Sequence, residues 1–236
     1  MLQRTSAHSL KVAIIVPVLA RYDAISREAI DLWRMINSAP EFDAVLITNR
    51  SDFPKIPAIV VSGIREMLAN DAYLNADVLV FDFGIFNPLH DAMFIGNGHA
   101  RQIARFHNIT PACFLPPHSR HICERSIQQT FHFSHCEEIW SVSEINNEAL
   151  KEYGVLHNNI RTIPLPVDEP EINKISINSD ILDILYIGRF VQSKGVLELI
   201  EAFDAAVKLT DMPMRLRLAG NVTYSDPYYL REIKQS

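Results

Sequence analysis

In the stretch Ile184-Leu185-Tyr186-Ile187-Gly188-Arg189-Phe190-Val191-Gln192-Ser193-Lys194-Gly195, an apolar run stops at one glycine and a loop of basic and polar residues stops at another. Extended back to Ile181, the run predicts a buried strand over residues 181–187. Beyond Gly195, Val196, Leu199, Ile200, Phe203, Ala206 and Val207 recur at helical spacing and form one apolar face. Strand, loop and helix in that order make the repeating unit of a parallel α/β sheet. Gly188 has no Cβ, so a ligand can approach the backbone there. Arg189 offers a planar fork of donors that suits phosphate oxygens, and Lys194 adds a second positive charge. The start of the helix presents N–H groups and a partial positive charge to the same place. These features predict a diphosphate cradle, while spacing alone leaves open a solvated Arg and Lys in an ordinary loop.

The same alternation extends in both directions. Downstream, Met214, Leu216 and Leu218 alternate with Arg215 and Arg217 up to Gly220, a strand with one polar face, and Asp226-Pro227 announces a further helix. Upstream, strands are predicted over residues 11–18, 44–48, 58–61, 78–81, 112–115, 139–142 and 160–163. Helices are predicted from Ile25 to about Ile36 with Ser26 as a cap, and over residues 64–74, 91–106, 122–136 and 144–153, the last ended by Gly154. Residues 164–180 are polar, carry three prolines and read as an interdomain linker. The division is therefore a first domain over residues 1–170 and a second over 181–236. From Ile181 the chain is only about half of the ~100 residues usual for an α/β domain, so the second domain is expected to be incomplete.

Composition narrows the class of function. Of 236 residues 48% are apolar, which excludes a disordered chain. With 22 basic against 28 acidic residues, a net charge of -6 and no basic block, a dedicated nucleic-acid binder is excluded too. The apolar run at residues 12–20 is about half of the ~20 residues that cross a bilayer, and its Val, Ile and Pro17 suit a buried strand better than a secretory signal. Cys113, Cys123 and Cys136 form no CxxC, which fits a reducing, cytoplasmic setting.

The motif order Gly188-Arg189, Lys194-Gly195, Leu199-Ile200-Glu201-Ala202-Phe203 and Leu218-Ala219-Gly220 resembles the second domain of the family-4 (group 1) retaining glycosyltransferases of the GT-B fold. Trp140-Ser141-Val142-Ser143, Tyr153-Gly154-Val155 and Arg161-Thr162-Ile163-Pro164 to Val167-Asp168 resemble the end of that family's first domain. The resemblance implies a Rossmann-like parallel-sheet domain followed by the start of a second. It also implies that Gly188, Arg189 and Lys194 hold the diphosphate of a nucleotide-sugar donor. A histidine just after a first-domain strand lies beside the donor sugar in that family, and the stretch Asn108-Ile109-Thr110-Pro111 to Pro116-Pro117-His118 resembles that place, which makes His118 the catalytic candidate. The chain departs from the family in having no glycine in residues 19–26 and in carrying Leu165-Pro166 where Asn-Gly is common. The family's pair of glutamates eight positions apart would fall beyond Ser236.

Two functions from different classes follow. One is retaining sugar transfer from a nucleotide-sugar to a sugar, lipid-linked or small-molecule acceptor, in polysaccharide or glycoconjugate synthesis, with no metal and no other cofactor. The other is a truncated, non-catalytic nucleotide- or sugar-binding module. The resemblance leaves room for peripheral membrane contact, although no strong amphipathic anchor is present. His118, His121, His132 and His135 with Cys123 and Cys136 suggest zinc, but without close Cys pairing no metal is expected. Asp82 and Asp91 near His90 suggest acid–base work, against which loop and cap roles for Asp are the ordinary reading. There is no G-x-S-x-G, no P-loop and no G-x-G-x-x-G after the first strand.

Overall fold

Val12 to Val16 are buried on both sides of their backbone, and this apolar run supplies most of an interior strand of a parallel sheet. The computed structural model describes residues 9–115, 117–167, 180–222 and 225–235, with His118 described by its backbone alone. The chain divides into two compact units, Met1–Asp168 and Glu169–Ser236.

The first unit runs β1 (Leu10–Ile15), β2 (Val18–Leu19), α1 (Ala24–Asn37), β3 (Phe42–Thr48), β4 (Arg50–Ser51) and β5 (Ala58–Val60). It continues with α2 (Ile64–Leu68), α3 (Asp71–Leu74), β6 (Val78–Phe83), α4 (Ala92–Ile95) and β7 (Arg101–Phe106). Last come α5 (Arg120–Gln129), β8 (Glu138–Ser141), α6 (Glu144–Glu152) and β9 (Ile160–Thr162). Seven of these strands form one parallel sheet in the order β5-β3-β1-β6-β7-β8-β9. Val12, Ile14 and Val16 face α1, whose Ala29, Ile30 and Leu32 close one core with Leu46, Val80 and Ile103. Ala13 and Ile15 point the other way, into a larger core with Phe81, Phe83, Ala104, Phe106, Phe133 and Leu150. Each fully buried Ile or Val contributes roughly 1.5–3 kcal/mol over its exposed state, so a charge at Ile14 would break the centre of the sheet.

Several predicted boundaries shift for identifiable reasons. Pro17 ends β1, and Val18–Leu19 pairs instead with Arg50–Ser51. The cap of α1 is Asp23, which accepts from Ser26 N–H at 2.8 Å; the Ser26 hydroxyl accepts from Ala20 N–H at 2.9 Å. The helix expected over residues 64–74 is two short ones, because the Asn70 side chain caps a restart at Ala72. The helix expected over residues 122–136 ends at Gln129, and Thr130–His135 is a 3-10 segment.

Two corrections are larger. Residues 91–106 are not one helix. Gly96 and Gly98 take φ of 64° and 91°, and the Asn97 side chain donates to the Tyr73 and Ala76 carbonyls at 2.9 Å, which turns the chain back. Arg101–Phe106 then enters the sheet beside β6. Ala112–Phe114, expected as a strand, is a 3-10 turn between Pro111 and Leu115 that pairs with no strand among the described residues.

The second unit consists of β10 (Leu182–Ile187), α7 (Val196–Val207), β11 (Met214–Ala219) and α8 (Pro227–Gln235). β10 and β11 pair in parallel, from Leu182 opposite Met214 to Ile187 opposite Ala219. Phe190, Val196 and Tyr229 are its buried centre, with Tyr186, Ile200 and Leu218 packed against them. Asp226 caps α8 by accepting from Tyr228 N–H at 2.8 Å. The linker expected over residues 164–180 falls mostly outside the described residues. Among the described helices none is long and apolar enough to cross a membrane.

Candidate active site

In an open parallel sheet, ligands bind beyond the carboxyl ends of the strands where the strand order reverses. Here that point lies between β1 and β6, since β3 and β5 lie to one side of β1 and β6 to β9 to the other. Asp82 and Arg105 are direct neighbours on β6 and β7, two residues beyond the apolar pair Val80 and Ile103 that faces α1. Glu28 comes down from α1 onto the same face, and His107 follows β7 directly. Glu28, Asp82 and Arg105 are 4%, 0% and 2% exposed, and the His107 side chain 5%.

The four groups form one network. An Arg105 guanidinium nitrogen lies 2.6 Å from Glu28 Oε1. His107 Nε2 makes a short contact with Asp82 Oδ1 and lies 3.5 Å from Glu28 Oε2. Glu28 Oε2 and Asp82 Oδ2 are buried without a hydrogen-bond partner, so the network is underfilled. Burial, and then the neighbouring Asp82 charge, push the Glu28 carboxyl up to about 7, against the opposing pull of Arg105 and His107. His107 Nδ1 has no hydrogen-bond partner among the described residues. Asp82 thus fixes one ring nitrogen of His107.

Glu28, Asp82 and His107 bring three ligand-type atoms within 4.8 Å of one another. Arg105, already paired with Glu28, supplies the positive charge that a cation would bring, so the donor set is matched to a protonic network. Among the described residues, no three of the histidines and cysteines considered for zinc lie close enough to share an ion. The ring centroid of His135 lies 4.9 Å from that of Phe94, and burial pushes the Cys136 thiol up to about 12, which keeps it protonated. His90 is not a partner of the Asp82 carboxylate. Its Nε2 lies 3.1 Å from the Asp82 backbone carbonyl, and burial lowers its pKa to about 3, leaving a neutral structural histidine. Asp91 accepts from Gln129 Nε2 at 2.6 Å.

His118 lies in the 3-10 turn Pro117–Ser119 ahead of α5, and its side chain is outside the described residues. The segment expected as a strand before His118 is a 3-10 turn, and a histidine that does directly follow a strand is His107, after β7. In the second unit Gly188, Arg189 and Lys194 share the loop between β10 and α7. A Cβ on Gly220 would collide with the Gly188 carbonyl, so the loops after β10 and β11 pass backbone against backbone. Gly195, with φ of 63°, turns the chain into α7, where Leu197 N–H donates to the Tyr229 hydroxyl at 3.0 Å. Arg189 and Lys194 are exposed, and neither has an ion-pair partner among the described residues.

No family model matches the chain, and no curated protein does. Among solved structures it is similar to the apo form of the lipopolysaccharide outer core galactosyltransferase WaaB, with a TM-score of 0.56 at 13% identity. The match takes in 96% of this chain and 66% of that one. At that identity the likeness is one of fold.

Proposed function

We propose that this chain carries the machinery of a glycosyltransferase, moving a sugar from a nucleotide-sugar to an acceptor with retention, in polysaccharide or glycoconjugate synthesis. The observation that carries the reading is the buried His107, Asp82, Glu28 and Arg105 network at the switch point of the parallel sheet. The fold likeness to a galactosyltransferase and the Gly188-Arg189 to Lys194-Gly195 loop support it.

In this reading Arg189, Lys194 and the start of α7 hold the donor diphosphate, with Gly188 leaving room for its oxygens. The acceptor oxygen replaces the diphosphate oxygen at the anomeric carbon, and the acceptor proton departs with the nucleoside diphosphate. Arg189 and Lys194 stabilise the charge that grows on the leaving group. His107, its ring held by Asp82, orients the donor sugar through Nδ1. That is the role the family resemblance gives to a histidine after a first-domain strand, and first gave to His118. No metal or other cofactor takes part. The three free cysteines support the reading of a reducing, cytoplasmic setting, with peripheral membrane contact left open.

Calorimetric binding of UDP, GDP and ADP tests the cradle. One of them should bind, and Arg189→Ala and Lys194→Ala should each weaken it at least tenfold. Binding unchanged in both variants overturns the assignment. Binding without release of nucleoside diphosphate from any donor sugar would leave a non-catalytic module.

A further inference from the structure

We propose that a cleft at the amino end of the first unit's sheet binds a neutral pyranose, at a site separate from the His107 network. The cleft has a volume of about 480 Å³, within the roughly 300–1,000 Å³ usual for small-molecule sites. One wall is the end of α5 with the 3-10 segment Thr130–His135, and the other is the turn Tyr153 to Leu156 after α6. The first wall leads into β8 and the second into β9, so both stand at the amino ends of parallel strands. His107 follows β7 and stands at the opposite, carboxyl end. Hydrogen bonds tie the walls together. His157 Nε2 lies 2.8 Å from the Cys136 carbonyl oxygen, and Asn159 Nδ2 donates to the Glu137 carbonyl at 3.2 Å. Gly154, with φ of 80°, makes the turn, and a Cβ there would meet nothing within 4 Å.

The lining selects the ligand. Among the described residues that line the cleft none is Asp, Glu, Lys, Arg or His, so nothing there would compensate a charged ligand. The Ser134 hydroxyl already donates its proton to the Phe131 carbonyl at 2.8 Å, and towards a ligand it can only accept. The Tyr153 hydroxyl has no hydrogen-bond partner among the described residues and can donate. A fitting ligand is therefore neutral and brings both a donor and an acceptor. Phe131 and Leu156 line the same cleft and are 72% and 93% exposed, large apolar side chains of the kind that mark a binding groove. A pyranose answers both demands: its C–H bonds are attracted to the negative face of an aromatic ring, and its hydroxyls donate and accept. A purely apolar ligand would bring nothing to Ser134 and Tyr153.

Methyl NMR on the full chain tests this, with methyl hexopyranosides, N-acetylglucosamine, lactose and cellobiose as saccharide probes and octanol as an apolar one. At least one saccharide should shift the methyl signals of Ile127, Val155 and Leu156 while those of Ile14 and Leu46, in the core against α1, stay in place. Phe131→Ala should weaken that binding at least fivefold and leave Tm unchanged, since the side chain is exposed, and Phe131→Trp should keep it. Tyr153→Phe retains the ring packed against Phe106 and loses only the hydroxyl, and it should weaken binding at least threefold. His107→Ala should leave it unchanged. No shift with any saccharide, shifts with octanol alone, or equal binding by Phe131→Ala overturns the proposal, and loss of binding in His107→Ala overturns the separate location. The titration needs no turnover, so its outcome is distinct from that of the sugar-transfer reading.

Discussion

Replacing Arg105 with Met would strip the cation from a site that is 2% exposed and leave Glu28 and Asp82 facing each other in the interior. Breaking a buried ion pair by removing one partner typically costs about 3–5 kcal/mol, since the surviving charge loses its compensation. Glu28 has a partial escape: its carboxyl already titrates at about 7 with Arg105 present, and without that pull it would hold its proton more firmly. The cost is therefore expected at the lower end, about 3 kcal/mol at pH 8 and less at pH 6, where Glu28 is largely protonated. For a unit of this size that lowers Tm by roughly 6–12 °C. Urea unfolding followed by circular dichroism at both pH values measures it. Adding Glu28→Gln to Arg105→Met removes the excess negative charge, so the double variant should regain at least about 1 kcal/mol against the sum of the singles. A loss below 1 kcal/mol at pH 8, or strict additivity, would refute the claim that these groups form one buried network.

The Glu28 carboxyl binds its proton more tightly folded, at about 7, than unfolded, at 4.5. Its contribution to stability therefore falls as pH rises from about 5 to 8, by roughly 3 kcal/mol in total, and Glu28→Gln should flatten that slope in pH-dependent unfolding. His90 has the opposite sign: held neutral to about 3, it costs stability as pH falls below 6.5, and His90→Asn should remove part of the acid-induced loss. Gly220→Ala should destabilise the second unit by at least ~2 kcal/mol, because the added Cβ meets backbone, and limited proteolysis should cut that unit faster. Asn97→Ala frees two buried carbonyls and should lower the first unit's Tm by several degrees, roughly 2 kcal/mol.

Predicted strands such as β1, apolar on both faces, and β10, ended by a glycine, pair as strands in the fold. β7 resists such reading because Arg101, Gln102 and Arg105 make half of it polar, and Arg105 looks like a surface charge until β6 and α1 enclose it. The candidate site is hidden for the same reason. Asp82 invites pairing with His90 and Asp91, its neighbours in sequence, whereas the fold pairs it with His107 across a strand crossing. One clue was present: a carboxylate between Phe81 and Phe83, inside an apolar run, has no way to stay solvated. The loop at Gly188 to Gly195 was legible because its chemistry is local: glycine, two cations and a helix start within eight residues need no tertiary contact to be recognised.

Release of nucleoside diphosphate from UDP-, GDP- and ADP-sugars by the wild type, His107→Ala and His118→Ala tests the central claim most directly. The account predicts turnover by the wild type with one nucleotide class and at least a hundredfold loss in His107→Ala, with the fold intact by circular dichroism. Turnover that survives His107→Ala within threefold, or that is lost only in His118→Ala, would contradict it.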